Sequence, residues 1–203
     1  MIPEPTVYAV DDDLLTRILL EKIFEAKSLK VETYSSAEEF LATYSPKNCG
    51  CLLLDILMPG MDGLELQENL MAQGNQTPII FLSGSDEVRM AVQALKAGAV
   101  DFIEKPIEPN IVLRCVGKAL ALDQRNRYKQ LQCAQIEQRI SLLTPRETEV
   151  MRWITRGKSN KSIARILDIS TRTAEGHRKK VLDKMQADSI VDLVNMVLEV
   201  QEF

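Results

Sequence analysis

The 203-residue sequence has little of several features that would place it in a specialised class of protein. No apolar run approaches the roughly 18 residues of a membrane-spanning helix, and the N-terminus lacks the basic and apolar stretches of a secretory signal. The four cysteines form no C-x-x-C pair, so we expect them to be reduced and structural. Only 9 glycines and 8 prolines are present, which argues against collagen-like or low-complexity character. These absences favour a cytoplasmic globular protein that has no membrane partner.

The remaining composition allows one domain or two small ones. Hydrophobic residues make up 45% of the chain and charged residues 27%, which is enough to form sizeable cores. The charge is unevenly divided, because residues 1–121 contain 10 Lys and Arg against 18 Asp and Glu, whereas residues 144–185 contain 11 against 5. An acidic front part and a basic back part predict two modules with different partners.

Residues 1–121 alternate between short apolar runs and helical patterns. Most of the apolar runs are continuous, which is typical of strands buried on both faces. Five such units predict an α/β domain with a parallel sheet covered by helices on both sides. The predicted strands are Thr6–Val10, Val31–Tyr34, Cys51–Asp55, Pro78–Ser83 and Asp101–Glu104, and the predicted helices are 14–26, 37–44, 64–71, 87–97 and 110 onward.

The pattern changes after residue 121. Residues 122–140 lack glycine and proline, are rich in Gln and Arg, and contain few apolar residues. This composition predicts a mostly solvated helical linker without a sustained coiled-coil heptad. From residue 144 onward only helical patterns occur, which predicts a second, all-α domain of four helices. The expected division is therefore 1–121, 122–140 and 141–203.

Acidic side chains stand where two of the predicted strands end. Asp11 and Asp12 directly follow the first strand, and Asp55 ends the third. Because neighbouring parallel strands lie about 5 Å apart, these carboxylates can converge, and clustered hard oxygen ligands suit Mg²⁺. Taken alone, residues 11–13 could instead simply cap the first helix.

Two further strand ends favour a site for a phosphoryl group. Ser83 ends the fourth predicted strand and offers a hydroxyl, and Lys105 follows the fifth and offers a cation. In such a site Asp55 is the nucleophile, Mg²⁺ neutralises phosphoryl oxygens, and the hydroxyl and the ammonium group hold the others.

The same residues lie in motifs that resemble the receiver domain of two-component response regulators over residues 5–121. The motifs are Val10–Asp12, Leu54–Gly63, Ser83–Gly84 and Lys105–Pro106. The resemblance implies a flavodoxin-like fold with strand order 2-1-3-4-5 and phosphorylation of Asp55 by a sensor histidine kinase. It also implies that Asp12, Asp55 and the Leu57 backbone carbonyl hold Mg²⁺, that Asp11 acts through water, and that the Lys105–Pro106 bond is cis.

Two positions in the receiver motif add detail. Phe102 matches the family's aromatic switch position. In that switch Ser83 moves toward the phosphoryl group and the aromatic ring turns inward to fill the space. Because Phe102 has no hydroxyl, its ring should favour the inward position more than a Tyr ring would. The alternative is an ordinary core residue. The change would alter the surface of residues 87–97 and 101–104, which in relatives forms a phosphorylation-dependent dimer contact.

Leu57 lies two residues after Asp55. Its side chain cannot orient an attacking water, which predicts a long-lived acyl phosphate.

The basic segment predicts a helix, a short turn and a second helix. The helices cover residues 159–167 and 171–185, Ile169 packs into the turn, and Ser170 or Thr171 caps the second helix. A positively charged helix of this size fits the DNA major groove. A run of charges is more often a solvated face, so charge alone does not establish DNA binding.

Residues 141–203 resemble the LuxR-type four-helix DNA-binding domain. The resemblance rests on Leu143–Glu147, Gly157–Ala164, Ile169–Thr173, Glu175, His177–Arg178 and Lys184–Met185. Together with the receiver, the chain resembles response regulators of the NarL/FixJ type, closer to the FixJ branch. This resemblance places Glu175, Gly176 and Lys179 at base-reading positions, and it places Lys161, Thr171, Arg172, Thr173, His177, Arg178 and Lys180 at phosphate-contacting ones. A structural role within the helix is an equally good interpretation of His177, the only histidine.

Two residues depart from the LuxR-type pattern. Ala174 and Gly176 stand where larger apolar residues are usual, and Gly inside a helix costs about 1 kcal/mol relative to Ala. A flatter helix could let the backbone approach the bases closely, which predicts an unusual operator preference.

The combined resemblance implies a transcription factor, an activator, that is switched on by phosphorylation of Asp55. Receiver dimerisation would then place two DNA-binding domains on a double-stranded operator, with RNA polymerase as a further partner. No enzyme activity is expected beyond self-phosphorylation and slow autodephosphorylation at Asp55.

Parts of the sequence invite three alternative functions. A haloacid-dehalogenase phosphatase would need Thr in place of Leu15, and a P-loop at Gly157–Ser159 would need glycine in place of Arg152. A receiver joined to a protein-binding or RNA-binding module remains open.

Overall fold

A computed structural model describes residues 4–45, 48–84 and 88–201. The chain divides into two compact units, Met1–Arg127 and Tyr128–Phe203. The boundary between the units lies within residues 122–140, the segment that the composition predicts to be a linker.

The first unit contains a five-stranded parallel sheet with the order β2-β1-β3-β4-β5, which confirms the predicted flavodoxin-like topology. The strands are β1 (Thr6–Val10), β2 (Lys30–Tyr34), β3 (Gly50–Asp55), β4 (Ile79–Ser83) and β5 (Asp101–Glu104). The helices are α1 (Leu14–Glu25), α2 (Ala37–Thr43), α3 (Gly63–Ala72), α4 (Val88–Lys96) and α5 (Pro109–Ser141), which continues into the second unit. Glu87, the predicted first residue of the fourth helix, lies outside the described residues.

The sheet is covered by one core on each face, because alternate residues of its strands point in opposite directions. Val7 and Leu53 pack with α1 and α5, whereas Tyr8 and Leu52 pack with α2, α3 and α4. Every residue of β1, β3 and β4 is buried, as the continuous apolar runs predict, and the edge strands β2 and β5 are partly exposed. The central strands therefore hold their carboxyl ends in fixed positions.

The cysteines agree with the structural role predicted for them. All four are free thiols in buried positions. Burial raises the pKa of Cys51 to about 12, so this thiol is protonated and unreactive at neutral pH.

Helix α5 remains packed against the sheet beyond residue 121. Asp123 is 5% exposed and accepts a hydrogen bond from the Gly50 N–H at 3.0 Å. Arg127 Nε lies 2.8 Å from Asp123 Oδ2, and the same guanidinium donates to the Asn48 carbonyl. The solvated character predicted for residues 122–140 therefore does not extend to Asp123 and Arg127.

The second unit contains the end of α5 and the four helices predicted for the back part of the chain. These are α6 (Pro145–Thr155), α7 (Asn160–Leu167), α8 (Thr171–Met185) and α9 (Ile190–Gln201). Their buried apolar side chains form one core, to which Ile136 of α5 contributes. Ile163 and Ala164 are buried in this core, and Leu167 packs against it.

An ion pair between a buried carboxylate and a half-buried lysine joins the beginning of α6 to the end of α8. Glu147 is only 4% exposed, and its Oε2 accepts from Lys184 Nζ at 2.7 Å and from the Thr144 N–H at 2.9 Å. Thr144 Oγ1 accepts from the Glu147 N–H, which completes a capping box. The Lys184 contact, followed by the Thr144 backbone contact, lowers the pKa of Glu147 to about 2.

We expect Glu147→Gln to lower the free energy of unfolding of the second unit by about 1 to 2 kcal/mol, because the helix cap is weakened and Lys184 loses its counter-ion. The pKa of Glu147 is lower in the folded chain than its ordinary value of 4.5. Its contribution is therefore complete above pH 4.5 and is lost as the pH falls toward 2. Urea unfolding followed by the fluorescence of Trp153, the only tryptophan, measures the effect.

The control for this prediction is Glu149→Gln, because Glu149 is exposed and pairs with Arg146 at the surface. We expect that control to change stability by less than about 1 kcal/mol. Equal stability of Glu147→Gln and the unaltered chain from pH 5 to 8 would contradict the assignment.

Candidate acidic site and nucleic-acid interface

The carboxyl ends of β1, β3 and β5 bring four charged side chains together. Asp11, Asp12 and Asp55 each offer a carboxylate oxygen within 4.8 Å of the others. Lys105 Nζ lies 2.8 Å from Asp55 Oδ2 and 2.9 Å from Asp11 Oδ2. These side chains converge as their positions at the strand ends predict, although Asp55 and Lys105 are separated by 50 residues of chain.

Burial controls the ionisation of this acidic cluster. Asp11 is completely buried and Asp55 is 6% exposed, whereas Asp12 is exposed. Burial raises the pKa of Asp55 to about 6 and also raises the pKa of Asp11, and the ammonium group of Lys105 opposes both shifts. Asp55 is therefore mainly a carboxylate at neutral pH, with Lys105 as its counter-ion.

The cap of α1 does not account for the whole cluster. Asp13 is the residue that caps the helix, since its carboxylate accepts from the N–H groups of Leu15 and Thr16. Asp11 Oδ1 accepts from the Asp13 N–H at 2.9 Å and so orders the turn. Asp12 makes none of these cap contacts, and its carboxylate lies instead with those of Asp11 and Asp55.

The loop after β3 is held at several points. A Cβ on Gly63 would lie 2.1 Å from the Asp55 carbonyl oxygen, so only glycine permits α3 to begin this close to β3. The Gly63 N–H donates to the Ile56 carbonyl at 2.9 Å, and Glu38 Oε1 of α2 accepts from the Met61 N–H at 3.1 Å. These contacts fix the loop that contains Leu57, whose side chain is 51% exposed. No motif distinguishes Glu38, so the sequence does not predict its contact.

Ser83 is the last residue of β4, and Lys105 directly follows the neighbouring strand β5. Ser83 is 2% exposed, and its carbonyl accepts from the Lys105 N–H at 2.8 Å. The Lys105–Pro106 bond is cis, which confirms the expectation. The side chain of Phe102 is 39% exposed, so the ring does not occupy the inward position that the absence of a hydroxyl favours. Its orientation depends on the neighbouring side chains, which the sequence does not place.

The donors of the acidic cluster fit a magnesium ion. Carboxylates supply the hard oxygen ligands that Mg²⁺ prefers, and three of them within 4.8 Å repel one another unless positive charge lies among them. Lys105 supplies one such charge. The three carboxylates and Lys105 leave two negative charges, which one divalent cation would balance.

The second candidate site is the basic face formed by α7 and α8. Ser170 caps α8, because its Oγ accepts from the Thr173 N–H at 3.0 Å. The predicted DNA contacts that are exposed are Lys161, Thr171, Arg172, Thr173, Glu175, Gly176, Lys179 and Lys180, while His177 and Arg178 are half-buried. The exposed side of α8 therefore combines basic side chains with small ones.

Two arginines join α7 to neighbouring helices through contacts that the sequence does not predict. Arg178 Nη1 donates to Asn160 Oδ1 at 3.1 Å, which joins the middle of α8 to the beginning of α7. Arg146 donates to the Leu167 carbonyl at the end of α7, where Asp168 adopts a left-handed conformation with φ of 51°. The sequence marks Arg146 only as a member of the Leu143–Glu147 motif, and that motif does not indicate which group Arg146 binds.

Two other residues of α8 face the interior. Ala174 is 1% exposed and belongs to the core of the second unit, so the small residue at this position alters packing rather than the exposed face. His177 is half-buried, and within the part of the chain that the structure describes its Nδ1 atom is buried without a hydrogen-bond partner. The half-buried position of the ring favours the structural role for His177 over a contact with DNA.

Comparison with known families assigns both parts of the chain. The response regulator receiver domain matches residues 7–116, and the LuxR family of bacterial regulatory proteins matches residues 141–197. This chain belongs to the two-component response regulators. It combines a receiver domain with a LuxR-type DNA-binding domain, which implies regulation of transcription, a sensor kinase as a partner and binding to DNA. Receiver domains generally bind Mg²⁺ at an acidic pocket of the kind formed here by Asp11, Asp12 and Asp55.

Individual relatives of this response regulator match over nearly its whole length. It is 40% identical over 190 residues to the response regulator protein TodT of Pseudomonas putida, covering 94% of this chain and 84% of that protein. It is 36% identical over 192 residues to the transcriptional regulatory protein FixJ of Bradyrhizobium diazoefficiens, covering 95% and 94%. The solved structure of the response regulator StyR is 37% identical with a TM-score of 0.85, covering 99% of this chain and 100% of that one. None of the described helices of this response regulator is both long and apolar enough to cross a membrane.

Proposed function

We propose that Asp55 is the phosphoacceptor of this response regulator and that its phosphorylation by a sensor histidine kinase switches the chain to an operator-binding activator. The observation that carries the proposal is the contact of Lys105 Nζ with both Asp55 and Asp11 at the carboxyl end of the sheet. That contact supplies a nucleophilic carboxylate next to a cation, which is what transfer of a phosphoryl group requires.

The chemical step is attack by a carboxylate oxygen of Asp55 on the phosphorus atom of a phosphohistidine. A P–O bond forms, the P–N bond breaks, and the electron pair returns to the imidazole of the kinase. The carboxylate must be ionised to attack, and a pKa of about 6 keeps most of it ionised at neutral pH. Lys105 and Ser83 then hold phosphoryl oxygens, which is consistent with the contact of Lys105 with Asp55 and with the backbone hydrogen bond between Lys105 and Ser83.

Mg²⁺ is the proposed cofactor of this step. Asp12, Asp55 and the Leu57 backbone carbonyl would hold it, with Asp11 acting through water. When bound, the ion offsets the negative charge of the phosphoryl oxygens. Lys105 would remain as a second cation in contact with Asp55.

Phosphorylation is proposed to act through Ser83 and Phe102. Movement of Ser83 toward the phosphoryl group would open space for the Phe102 ring, which is partly exposed in this structure. The surface formed by α4 and β5 would then change and support dimerisation. Two DNA-binding domains in one dimer raise the effective concentration of the second on an operator.

The chain is proposed to divide into a receiver domain (1–121), a linker (122–140) and a LuxR-type DNA-binding domain (141–203). We place the regulator in the cytoplasm, where the DNA and RNA polymerase of a bacterium lie. Its catalytic role is limited to self-phosphorylation from small phosphodonors and slow loss of phosphate from Asp55.

Light scattering of the full chain tests this proposal, before and after incubation with acetyl phosphate and Mg²⁺. We expect a monomer before the incubation and a dimer after it, because dimerisation depends on the changed surface of α4 and β5. A tight dimer in both conditions, or a monomer in both, would contradict the proposed switch.

Leu57→Asn is expected to shorten the lifetime of the phosphorylated form. Leu57 is exposed beside the acidic cluster and has no group that orients an attacking water, whereas an amide at this position has one. Loss of labelled phosphate from the isolated chain measures the lifetime. Leu57→Met is the matched control, since it keeps an apolar side chain, and decay in the unaltered chain that equals or exceeds that of Leu57→Asn would refute the prediction.

A further inference from the structure

The first unit contains a small cleft at the edge of the sheet opposite the acidic cluster. Its volume is about 180 Å³, and its walls come from α3, the beginning of β4, the turn between α4 and β5, and α5. Four of the residues that line it carry a side-chain amide, namely Gln67, Asn75, Gln76 and Asn126. This amide-lined cleft lies at the amino-terminal ends of β4 and β5, so it has no part in the chemistry proposed for Asp55.

The lining of the amide-lined cleft is uncharged. No Asp, Glu, Lys or Arg is among the described residues that form it, and between the amides its walls include apolar side chains such as Leu70, Ile79 and Leu122. Burial of a charge without a partner is unfavourable, so the cleft suits an uncharged molecule with an apolar body. A cavity of about 150 Å³ can hold benzene, so this one has room for a molecule of roughly six to eight non-hydrogen atoms.

Gln67 gives the cleft a hydrogen-bond acceptor that the chain itself does not use. The residue is only 1% exposed, and its Nε2 donates to the Ala94 carbonyl of α4 at 3.2 Å. Its Oε1 is buried and has no hydrogen-bond partner in the described part of the chain, which is an unfavourable state for a polar atom. Rotation of the amide by half a turn does not solve this, because two oxygens would then face each other at Ala94.

The fold does not depend on an amide at position 67. The Ala94 carbonyl also accepts from the Ala99 N–H at 3.0 Å, so it would keep a partner if the side chain at position 67 were apolar. Leu66 and Leu70, the buried neighbours of Gln67 on α3, are apolar members of the core. A buried amide with an unused acceptor at the wall of a cleft therefore indicates a partner from outside the folded chain.

We propose that the amide-lined cleft binds a small uncharged molecule that carries a carboxamide on an apolar body. An N–H group of that molecule would donate to Gln67 Oε1, and its apolar part would lie against the aliphatic walls. Asn126 offers both a donor and an acceptor, which suits the carbonyl and N–H groups of a carboxamide. Because Gln67 also joins α3 to α4, an occupant of the cleft would stabilise the first unit.

The experiment titrates the isotope-labelled full-length chain with three probes of equal size and follows the NMR signals of its backbone amides. Isobutyramide has the carboxamide, methyl isopropyl ketone replaces its amino group with a methyl group, and isobutyrate replaces the amide with a carboxylate. The same titrations are made with Gln67→Met, which removes the unused acceptor. Gln93→Met is the matched control, because Gln93 is an exposed glutamine of α4 that does not line the cleft.

We expect isobutyramide to bind saturably with a Kd on the order of 1 mM, the scale for so small a molecule. The shifted signals should belong to residues 67–79, 97–100 and 122–126. The ketone should bind about fivefold more weakly because it lacks the donor, and isobutyrate should not bind because the lining offers no cation. Gln67→Met should unfold at the same or a higher temperature and bind the amide and the ketone equally, whereas Gln93→Met should behave as the unaltered chain.

Three results would overturn the inference. The first is the absence of saturable binding by isobutyramide at these residues, which would mean that the cleft holds only water. The second is equal affinity of the unaltered chain for isobutyramide and for the ketone, which needs no variant to be observed. The third is an undiminished preference for the amide in Gln67→Met, which would show that Gln67 is not the acceptor.

Discussion

Asp55→Asn is expected to abolish the mass increase of one phosphoryl group that acetyl phosphate and Mg²⁺ produce on the intact chain. The amide is not a nucleophile, and the nearby carboxylates cannot replace it, because Asp11 is completely buried and Asp12 does not contact Lys105 within the described structure. Intact mass spectrometry measures the reaction. The same variant should retain its fold, since an amide keeps an acceptor for Lys105.

Glu68→Gln provides the control for charge removal, because Glu68 is an exposed carboxylate of α3 outside the acidic cluster. This control should be phosphorylated as fully as the unaltered chain. Phosphorylation of Asp55→Asn to the same extent would show that the acceptor is another residue.

The second large effect is expected on α8, where Arg178→Ala and Lys179→Ala should weaken DNA binding in different ways. Lys179 is exposed, and its loss should cost about 1 to 3 kcal/mol at one operator position and relax the sequence preference there. Arg178→Ala should weaken binding to all sequences alike and reduce the slope of affinity against salt by about one, because a phosphate contact is lost. Titration of selected and unselected duplexes at several salt concentrations measures both.

Arg178 needs an additional control because it also holds Asn160. Asn160→Ala removes that contact but keeps the charge, so any loss shared by both variants reports the position of α8 rather than a phosphate contact. Lys118→Ala removes an exposed charge from α5 and should leave binding unchanged. A base-specific loss in Arg178→Ala and a uniform loss in Lys179→Ala would show that the register assigned to α8 is wrong.

The convergence of side chains at the carboxyl ends of the strands was predictable because the three central strands are continuous apolar runs. Such runs are buried on both faces, and parallel connection places the carboxyl ends of all five strands at one edge of the sheet. Asp12 and Asp55 on central strands, and Lys105 after the edge strand β5, could therefore be brought together from their positions in the sequence. The orientation of Phe102 could not be predicted. Its 39% exposure depends on how neighbouring helices pack, and one residue on an edge strand fits either orientation.

Long-range polar contacts were the other part that the sequence did not reveal. Glu147 and Lys184 are 37 residues apart, and the sequence gives each the character of an ordinary surface residue, although folding buries Glu147. Asp123 and Arg127 likewise lie in a polar segment whose composition predicts solvation, yet they bind the backbone around Gly50. Burial of a charge depends on a partner from elsewhere in the chain, which helical periodicity does not identify.

The central claim is that covalent change at Asp55 controls DNA binding by α8, and one measurement tests it most directly. The affinity of the full-length chain for a selected duplex is determined in nuclease-protection assays with and without acetyl phosphate, and again for Asp55→Asn. We expect phosphorylation to tighten binding by about 5-fold to 150-fold, the usual range of coupling between two sites, and Asp55→Asn to remain at the weaker level. Equal affinity in the presence and absence of the phosphodonor, with Asp55 shown to be phosphorylated, would contradict the account.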